Sequence, residues 1–231
     1  MEADLEGVVR ILAENRWPWR MHATYDETIS RALDVFETVN RDTPLAGLNW
    51  FFDHAETISE RNIDRVAALG GGIAVQHRMA FQGEYFIDRY GPDAARRTPP
   101  VRRMLEMGIP VGAGTDATRV ASFNPWTCLS WLVTGKTVGG TSLYPDDNLL
   151  SREEALRLYT SGSAWFSREE TAKGTIAKGL HADLALLTED FFSVNPERLR
   201  AIESCLTVVA GKVVHASGPF TTHAPPPLPV L

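Results

Sequence analysis

Stretches with helical hydrophobic spacing alternate with short apolar runs from residue 1 to about residue 135. One helical stripe predicts an amphipathic helix over residues 3–15 and consists of Leu5, Val8, Val9 and Leu12. A second stripe predicts a helix over DETISRALDVFETVN and consists of Ile29, Leu33, Phe36 and Val39. The apolar runs between helices each predict a strand, and they are WPWRMHA, GLNWFFDHA, GGIAVQH and IPVGAGTD.

Each predicted strand is followed, after a short connection, by a helical pattern. The later helices are SERNIDRVAALG, the pair GEYFIDRYG and TPPVRRMLEMG, and NPWTCLSWLVTG. The first of these begins after Ser59 and ends at Gly70 and Gly71. Strands that alternate with helices pair in parallel through right-handed crossovers. The sequence therefore predicts four consecutive β/α units of an α/β fold.

The pattern changes after about residue 140. Ser151 and Glu154 form a capping box, which predicts a helix over ALRLYTSGSAWF. Extended segments then follow in KGTIAKGLHADLALLTEDFF and CLTVVAGKVVHA. In the second of them Ala210 and Gly211 separate two valine pairs, which predicts a hairpin. This part of the chain is expected to form β structure rather than further β/α units.

The composition is typical of a folded globular protein in a reducing compartment. The 231 residues are 44% hydrophobic and 23% charged, with a net charge of −6 and no cationic patch interleaved with aromatic residues. These features argue against nucleic acid or a membrane surface as a partner. Charged residues interrupt residues 1–20, so no signal peptide is expected. Cys128 and Cys205 form no CxxC pair and are expected to be buried free thiols of a cytoplasmic protein.

Three of the four predicted strands end on a side chain that can bind a metal ion. WRMHA ends at His22, WFFDHA at His54 and GAGTD at Asp116, whereas GIAVQH ends at Gln76 and His77. The carboxyl ends of parallel strands lie on one side of a sheet, so these residues could converge. Imidazole and carboxylate donors suit a hydrolytic zinc, manganese or iron site with an open position for water. A hydrogen-bonded loop residue is the simpler interpretation of any single one, and spacing alone leaves both interpretations open.

Longer stretches carry a family resemblance. RMHATYDETISRALDVFE, FFDHAETISERNIDRVAALGGGIAVQ and GIPVGAGTDATRVASFNPWTCLSWLVTGKTVGG resemble the amidohydrolase superfamily. More narrowly, they resemble its amidohydrolase-3 (YtcJ-like) family of metal-dependent hydrolases, and KGTIAKGLHADLALLTEDFFSV resembles the C-terminal signature of that family. The resemblance covers nearly all of residues 1–220. It implies a TIM-like (β/α)8 barrel with a small β-sandwich built from both chain ends.

On this resemblance, the chain corresponds to the C-terminal half of such a barrel. Residues 1–170 would form strands five to eight, residues 171–220 a segment of the composite sandwich, and residues 221–231 a proline-rich tail. The first strand of the family carries a His-x-His pair. The six histidines here, at positions 22, 54, 77, 181, 215 and 223, include no such pair. The chain is therefore expected to be incomplete and to need a complementary N-terminal half or self-association.

The resemblance also implies roles for individual residues. His22 and His54 become metal ligands of strands five and six, and Asp116 becomes both a metal ligand and the general base. The implied cofactor is a divalent metal, with zinc as the first candidate and one or two ions in a complete site. His77 and Arg119 are candidate substrate-binding residues, and a loop salt bridge is an equal alternative for Arg119.

The implied reaction is hydrolysis of carbon–nitrogen bonds other than peptide bonds, such as those of amides or cyclic amides, in a small-molecule substrate. The alternative is a non-catalytic remnant or pseudoenzyme subunit that keeps the fold for interaction. A flavodoxin-like nucleotide binder would need a glycine-rich phosphate loop between a strand and a helix, which the sequence lacks.

Overall fold

The computed structural model describes residues 2–226, and its elements follow the predicted order. The strands are β1 (Arg20–Ala23), β2 (Phe51–His54), β3 (Gly72–Gln76), β4 (Val111–Gly114), β5 (Leu184–Leu187), β6 (Ser204–Val209) and β7 (Lys212–Ala216). The helices are α1 (Glu2–Glu14), α2 (Asp26–Asn40), α3 (Glu60–Ala68), α4 (Arg78–Tyr90), α5 (Pro92–Ala95), α6 (Val101–Glu106), α7 (Pro125–Thr134), α8 (Arg152–Tyr159) and α9 (Ser161–Phe166). Short 3-10 helices cover Asp146–Asn148, Pro196–Ala201 and Gly218–His223.

The first four strands form one parallel sheet in the order β1-β2-β3-β4. His22 pairs with Asp53 in the register of β1 and β2, and Asp53 pairs with Ala74 of β3. Side chains alternate between the two faces of a strand, so His22 and Asp53 share one face of the sheet. The parallel pairing predicted from the alternation of strands and helices is confirmed.

The opposite face of the sheet carries the hydrophobic core. Phe52, Ile73 and Val75 are fully buried there, and the Phe52 ring stacks on Phe36 of α2 at a centroid distance of 5.7 Å. Burial of each such side chain stabilises the fold by about 1.5–3 kcal/mol. The stripe of α2 predicted from the sequence is the surface that packs on this sheet, since Ile29, Leu33, Phe36 and Val39 are all fully buried.

Helix α9 covers the face that carries His22, at the N-terminal ends of the strands. A Cβ atom at Gly112 would lie 2.6 Å from Cε2 of Phe166, and one at Gly72 would lie 2.7 Å from Cζ3 of Trp165. Glycine at these two positions therefore allows the aromatic side chains to approach the strand backbone closely. Toward the C-terminal ends of the strands, the same face carries polar side chains, including His22 and Asp53.

The second sheet is antiparallel, in the order β5-β6-β7. Ala210 and Gly211 both have positive φ, 49° and 77°, as the predicted hairpin turn between β6 and β7 requires. The Asp183 carboxylate accepts a hydrogen bond from the Ala210 backbone N–H at 2.7 Å. The β structure expected at this end of the chain is therefore present.

Some details differ from the sequence pattern. Val8, assigned to the buried stripe of α1, is 53% exposed, because only one side of that helix packs on α2. The helix expected over ALRLYTSGSAWF is divided into α8 and α9 at Thr160. Cys128 is buried and Cys205 is half-buried, and both are free thiols.

Within residues 2–226, none of the helices combines the length and hydrophobicity that crossing a bilayer requires. Of the proline-rich tail expected at residues 221–231, residues 227–231 lie outside the described part of the chain.

Candidate functional site

Two histidines meet at the C-terminal ends of neighbouring strands. The rings of His22 in β1 and His54 in β2 lie 4.5 Å apart between centroids, with an angle of 71° between their planes. The loop after β2 is joined to the end of β1, because the Ala55 N–H donates to the Ala23 carbonyl at 3.0 Å. A second bond, from the Thr57 N–H to the Thr24 carbonyl at 3.2 Å, continues this join. The sheet therefore holds the two imidazoles side by side.

The backbone of His54 departs from regular strand geometry. Strand alternation would place this side chain on the core face together with Phe52. Instead, φ is +78° at His54 and +49° at Ala55, and the His54 ring contacts His22 on the other face. Non-glycine residues with positive φ carry backbone strain, and such strain is concentrated at functional sites.

The surroundings of His54 favour its neutral form. Burial lowers the pKa of His54 first, and the adjacent His22 lowers it further. Asp116 and Asp53 act in the opposite direction without reversing the shift, and so does the Gln76 side chain. A neutral imidazole is the form that binds a metal ion.

Asp116 and Arg119 lie in the exposed loop after β4. Asp116 also has positive φ, +52°, and its charge raises the pKa of both His54 and Glu56, so it lies within electrostatic range of both. Within residues 2–226, however, no three histidine, cysteine, aspartate or glutamate side chains come together as a metal site. The chemistry of the donors fits a divalent metal, but the number of donors assembled does not complete a site.

His77 is fully buried at the start of α4. Its Nδ1 lies 3.4 Å from the Gly114 carbonyl oxygen, and its ring lies 5.3 Å from that of Phe81. Burial lowers the pKa of His77, and the carbonyl groups of Gly114 and Ser122 oppose that shift. These contacts favour a role for His77 in holding the loop that carries Asp116. The His77 side chain has no exposed surface with which to make the predicted substrate contact.

Three further polar residues surround the histidine pair. Asp53 accepts a hydrogen bond from Arg20 Nε at 2.7 Å. Gln76 donates to the Ala74 carbonyl at 2.9 Å, and its Oε1 is buried. Burial raises the pKa of Glu56 to about 7, against the opposing effect of Arg78. Alternation within β2 and β3 identifies which residues share a face, but the register that brings Asp53 beside His22 is not visible in the sequence.

A family model described as "Amidohydrolase family" matches residues 1–215. The putative amidohydrolase YtcJ of Bacillus subtilis (strain 168) is 28% identical over 215 residues, which are 91% of this chain and 40% of that protein. The N-substituted formamide deformylase of Arthrobacter pascens is 29% identical over 197 residues, 83% of this chain and 35% of that protein.

The solved structures that resemble the chain share its fold at low sequence identity. An uncharacterized metal-dependent hydrolase from Pyrococcus horikoshii OT3 has a TM-score of 0.70 and 23% identity, over 85% of this chain and 39% of that one. Atrazine chlorohydrolase TrzN from Arthrobacter aurescens TC1, complexed with zinc, has a TM-score of 0.64 and 21% identity, over 94% and 48%. The chain thus spans 35–40% of the length of these two curated relatives.

Proposed function

The chain belongs to the amidohydrolase family, as its sequence predicted, and from that premise we propose that it supplies half of the active site of a metal-dependent hydrolase. The substrates proposed are small molecules with a carbon–nitrogen bond other than a peptide bond, such as amides or cyclic amides. In this proposal β1–β4 are strands five to eight of a TIM-like barrel, within residues 1–170. Residues 171–220 then belong to the small β-sandwich.

The observation that carries the proposal is the His22–His54 pair at the strand ends, with Asp116 in the loop after β4 within electrostatic range of His54. The two imidazoles would hold a divalent ion, and such an ion supplies a Lewis acid that polarises a carbonyl group. Asp116 would take a proton from the attacking water and deliver it to the leaving nitrogen. The name of the Arthrobacter pascens relative describes removal of a formyl group from an N-substituted formamide, which supports a carbon–nitrogen bond as the target.

Zinc is the proposed metal. His and Asp donors suit zinc in a hydrolytic site. The TrzN structure, which shares the fold, is complexed with zinc. Two histidines alone bind zinc weakly, so a complete site needs donors from elsewhere.

We propose that those donors come from a complementary segment that carries a His-x-His strand. The sheet offers places for it, because β1 and β4 are the edge strands of the four-stranded sheet among the described residues. Near the β1 side, Val8 and Ile11 of α1 and Trp17 are exposed apolar side chains. Unpaired edges and exposed apolar surface favour association with another polypeptide or with a second copy.

Metal content tests the half-site directly. The chain would be dialysed to equilibrium against a buffer that keeps zinc in excess, so that a weak site is occupied, and bound zinc per chain would be measured in wild type and in His22→Ala/His54→Ala. A matched variant, His181→Ala/His223→Ala, removes two exposed histidines away from the sheet. We expect zinc in the wild type and in the matched variant, and its loss in His22→Ala/His54→Ala. Wild type without zinc, or equal zinc in all three, would contradict the proposal.

A second function is the non-catalytic remnant, which the absence of a three-donor group within residues 2–226 favours. Addition of a barrel segment with the His-x-His pair distinguishes the two. The half-site proposal predicts amide hydrolysis that Asp116→Asn abolishes. The remnant predicts a complex without hydrolysis.

A further inference from the structure

A cleft of about 210 Å³ opens between α4 and the loops that follow β1 and β2, the two strands that carry His22 and His54. The β1 loop contributes Tyr25, the β2 loop contributes Glu56, and α4 contributes Arg78 and Arg89. Glu56 follows His54 by two residues in the chain, and the cleft includes none of the proposed metal ligands. Nothing in the hydrolysis proposed above uses these side chains.

Aromatic rings form much of the cleft wall. Tyr25, Tyr85 and Tyr90 line it and are exposed, and the Phe86 ring lies 4.7 Å from that of Tyr90. Exposed rings grouped around one cavity are unusual on a surface unless they pack against a partner. Their faces offer a stacking surface for a planar ligand.

The cleft is also cationic, although the chain as a whole carries a net charge of −6. Arg89 donates to the Tyr85 hydroxyl at 3.2 Å and lies over the Tyr90 ring, and no carboxylate within residues 2–226 forms an ion pair with it. Arg78 donates to Gln82 at 2.9 Å, and its Nη1 lies 3.9 Å from Oε2 of Glu56, which makes at most a long ion pair. By contrast, Arg102 elsewhere in the molecule makes two close contacts to one glutamate. Two guanidinium groups are thus available to a carboxylate ligand.

Glu56 provides the third recognition element. Its side chain is 6% exposed, and its Oε1 is buried with no hydrogen-bond partner. Buried polar atoms nearly always have a partner, so a lone acceptor that lines a cavity calls for a donor from the ligand. An amide N–H supplies such a donor.

We propose that this cleft binds the aromatic part of the substrate, and that the substrate class is an N-acylated amine whose aromatic ring carries a carboxylate. The carboxylate meets Arg78 and Arg89, the ring stacks among the tyrosines, and the amide N–H donates to Glu56. This inference rests on the proposed function, which supplies the amide as the bond to be cleaved.

Binding of 4-acetamidobenzoate tests the inference without catalysis. Isothermal titration of the full chain, with a chelator present, would compare it with acetanilide, which lacks the carboxylate. A third ligand, 4-acetamidocyclohexanecarboxylate, lacks the aromatic ring. We expect saturable binding of the first ligand, with each of the other two weaker by on the order of tenfold. Equal binding of all three, or no binding, would overturn the assignment.

The protein side is tested with Arg78→Gln and Arg89→Gln. The matched variant is Arg198→Gln, which removes an exposed arginine that pairs with Glu189 away from the cleft. We expect the two cleft variants to bind 4-acetamidobenzoate on the order of tenfold more weakly, and Arg198→Gln to bind it like wild type. Unchanged binding by both cleft variants would refute the role of the guanidinium groups. If a variant fails to fold, the ligand series on wild type still decides. These binding measurements involve no metal and no turnover. A negative result would therefore refute the ligand assignment alone, and the zinc measurement would still test the half-site.

Discussion

The ion pair between Arg20 and Asp53 offers a sharp test of how the site is built. Arg20 Nε donates to Asp53 Oδ2 at 2.7 Å across β1 and β2, on the sheet face that carries His22. The Asp53 side chain is 6% exposed and that of Arg20 is 71% exposed. Arg20→Ala therefore leaves a buried carboxylate without the one side-chain hydrogen bond that the described residues give it.

The size of the effect follows from this asymmetry. Loss of one partner from a buried polar pair costs about 1–3 kcal/mol, more when the remaining group is charged. Because the Arg20 end of the pair is open to water, solvent screens part of the charge. We therefore expect Arg20→Ala to lower the free energy of unfolding by about 1–2 kcal/mol. Asp53→Asn in the same chain removes the buried charge, so the double variant should recover about 1 kcal/mol.

Urea denaturation followed by tryptophan fluorescence measures these differences, provided that the slope with urea stays constant. The matched control is Arg31→Ala, which breaks an ion pair with Glu2 in which both side chains are about half exposed. Such a pair contributes about 0–1 kcal/mol. If Arg20→Ala costs no more than Arg31→Ala, or if Asp53→Asn brings no relief, the burial argument is wrong.

Three further predictions concern packing and pH. Gly112→Ala would place its Cβ 2.6 Å from Phe166, so it should lower the free energy of unfolding by roughly 1–3 kcal/mol, and Phe166→Leu should restore part of the loss in the same urea assay. Arg102 holds the pKa of Glu154 at about 2, below its ordinary 4.5. Glu154→Gln should therefore destabilise the chain at pH 7, with a penalty that disappears as the pH falls from about 4.5 toward 2 in a pH series of melts. Burial raises the pKa of Glu56 from 4.5 to about 7, so the metal-free chain should lose stability as pH rises through that interval. Glu56→Gln should be more stable at pH 8 by up to roughly 3 kcal/mol, and an equal pH dependence in both forms would contradict the shift.

Much of the fold can be predicted from the sequence because it depends on local patterns. The stripe of Ile29 and Phe36 identifies the packing face of α2, and Ala210-Gly211 identifies the turn of the last hairpin. The arrangement of the candidate site can be predicted only in part. His22 and His54 can be proposed as neighbours because parallel strands end on one side of a sheet. The position of Asp53 beside His22 depends on strand register, which is set by long-range packing.

The backbone at the end of β2 departs from what the hydrophobic periodicity of the strand predicts. Alternation along β2 assigns His54 to the core face, yet the chain takes positive φ at His54 and Ala55 and turns the imidazole toward His22. Asp116, in the loop after β4, also has positive φ, and its charge acts on His54. Each such conformation costs about 1–3 kcal/mol and persists only where surrounding contacts fix it. The bond from the Ala55 N–H to the Ala23 carbonyl is such a contact, and it joins the strained loop to the strand that carries His22. Positive φ also occurs at Arg16 and Asn49, so strain by itself does not mark the site. What distinguishes the strain at His54 is its result, because it brings the imidazole against that of His22, which is the contact that the half-site proposal requires.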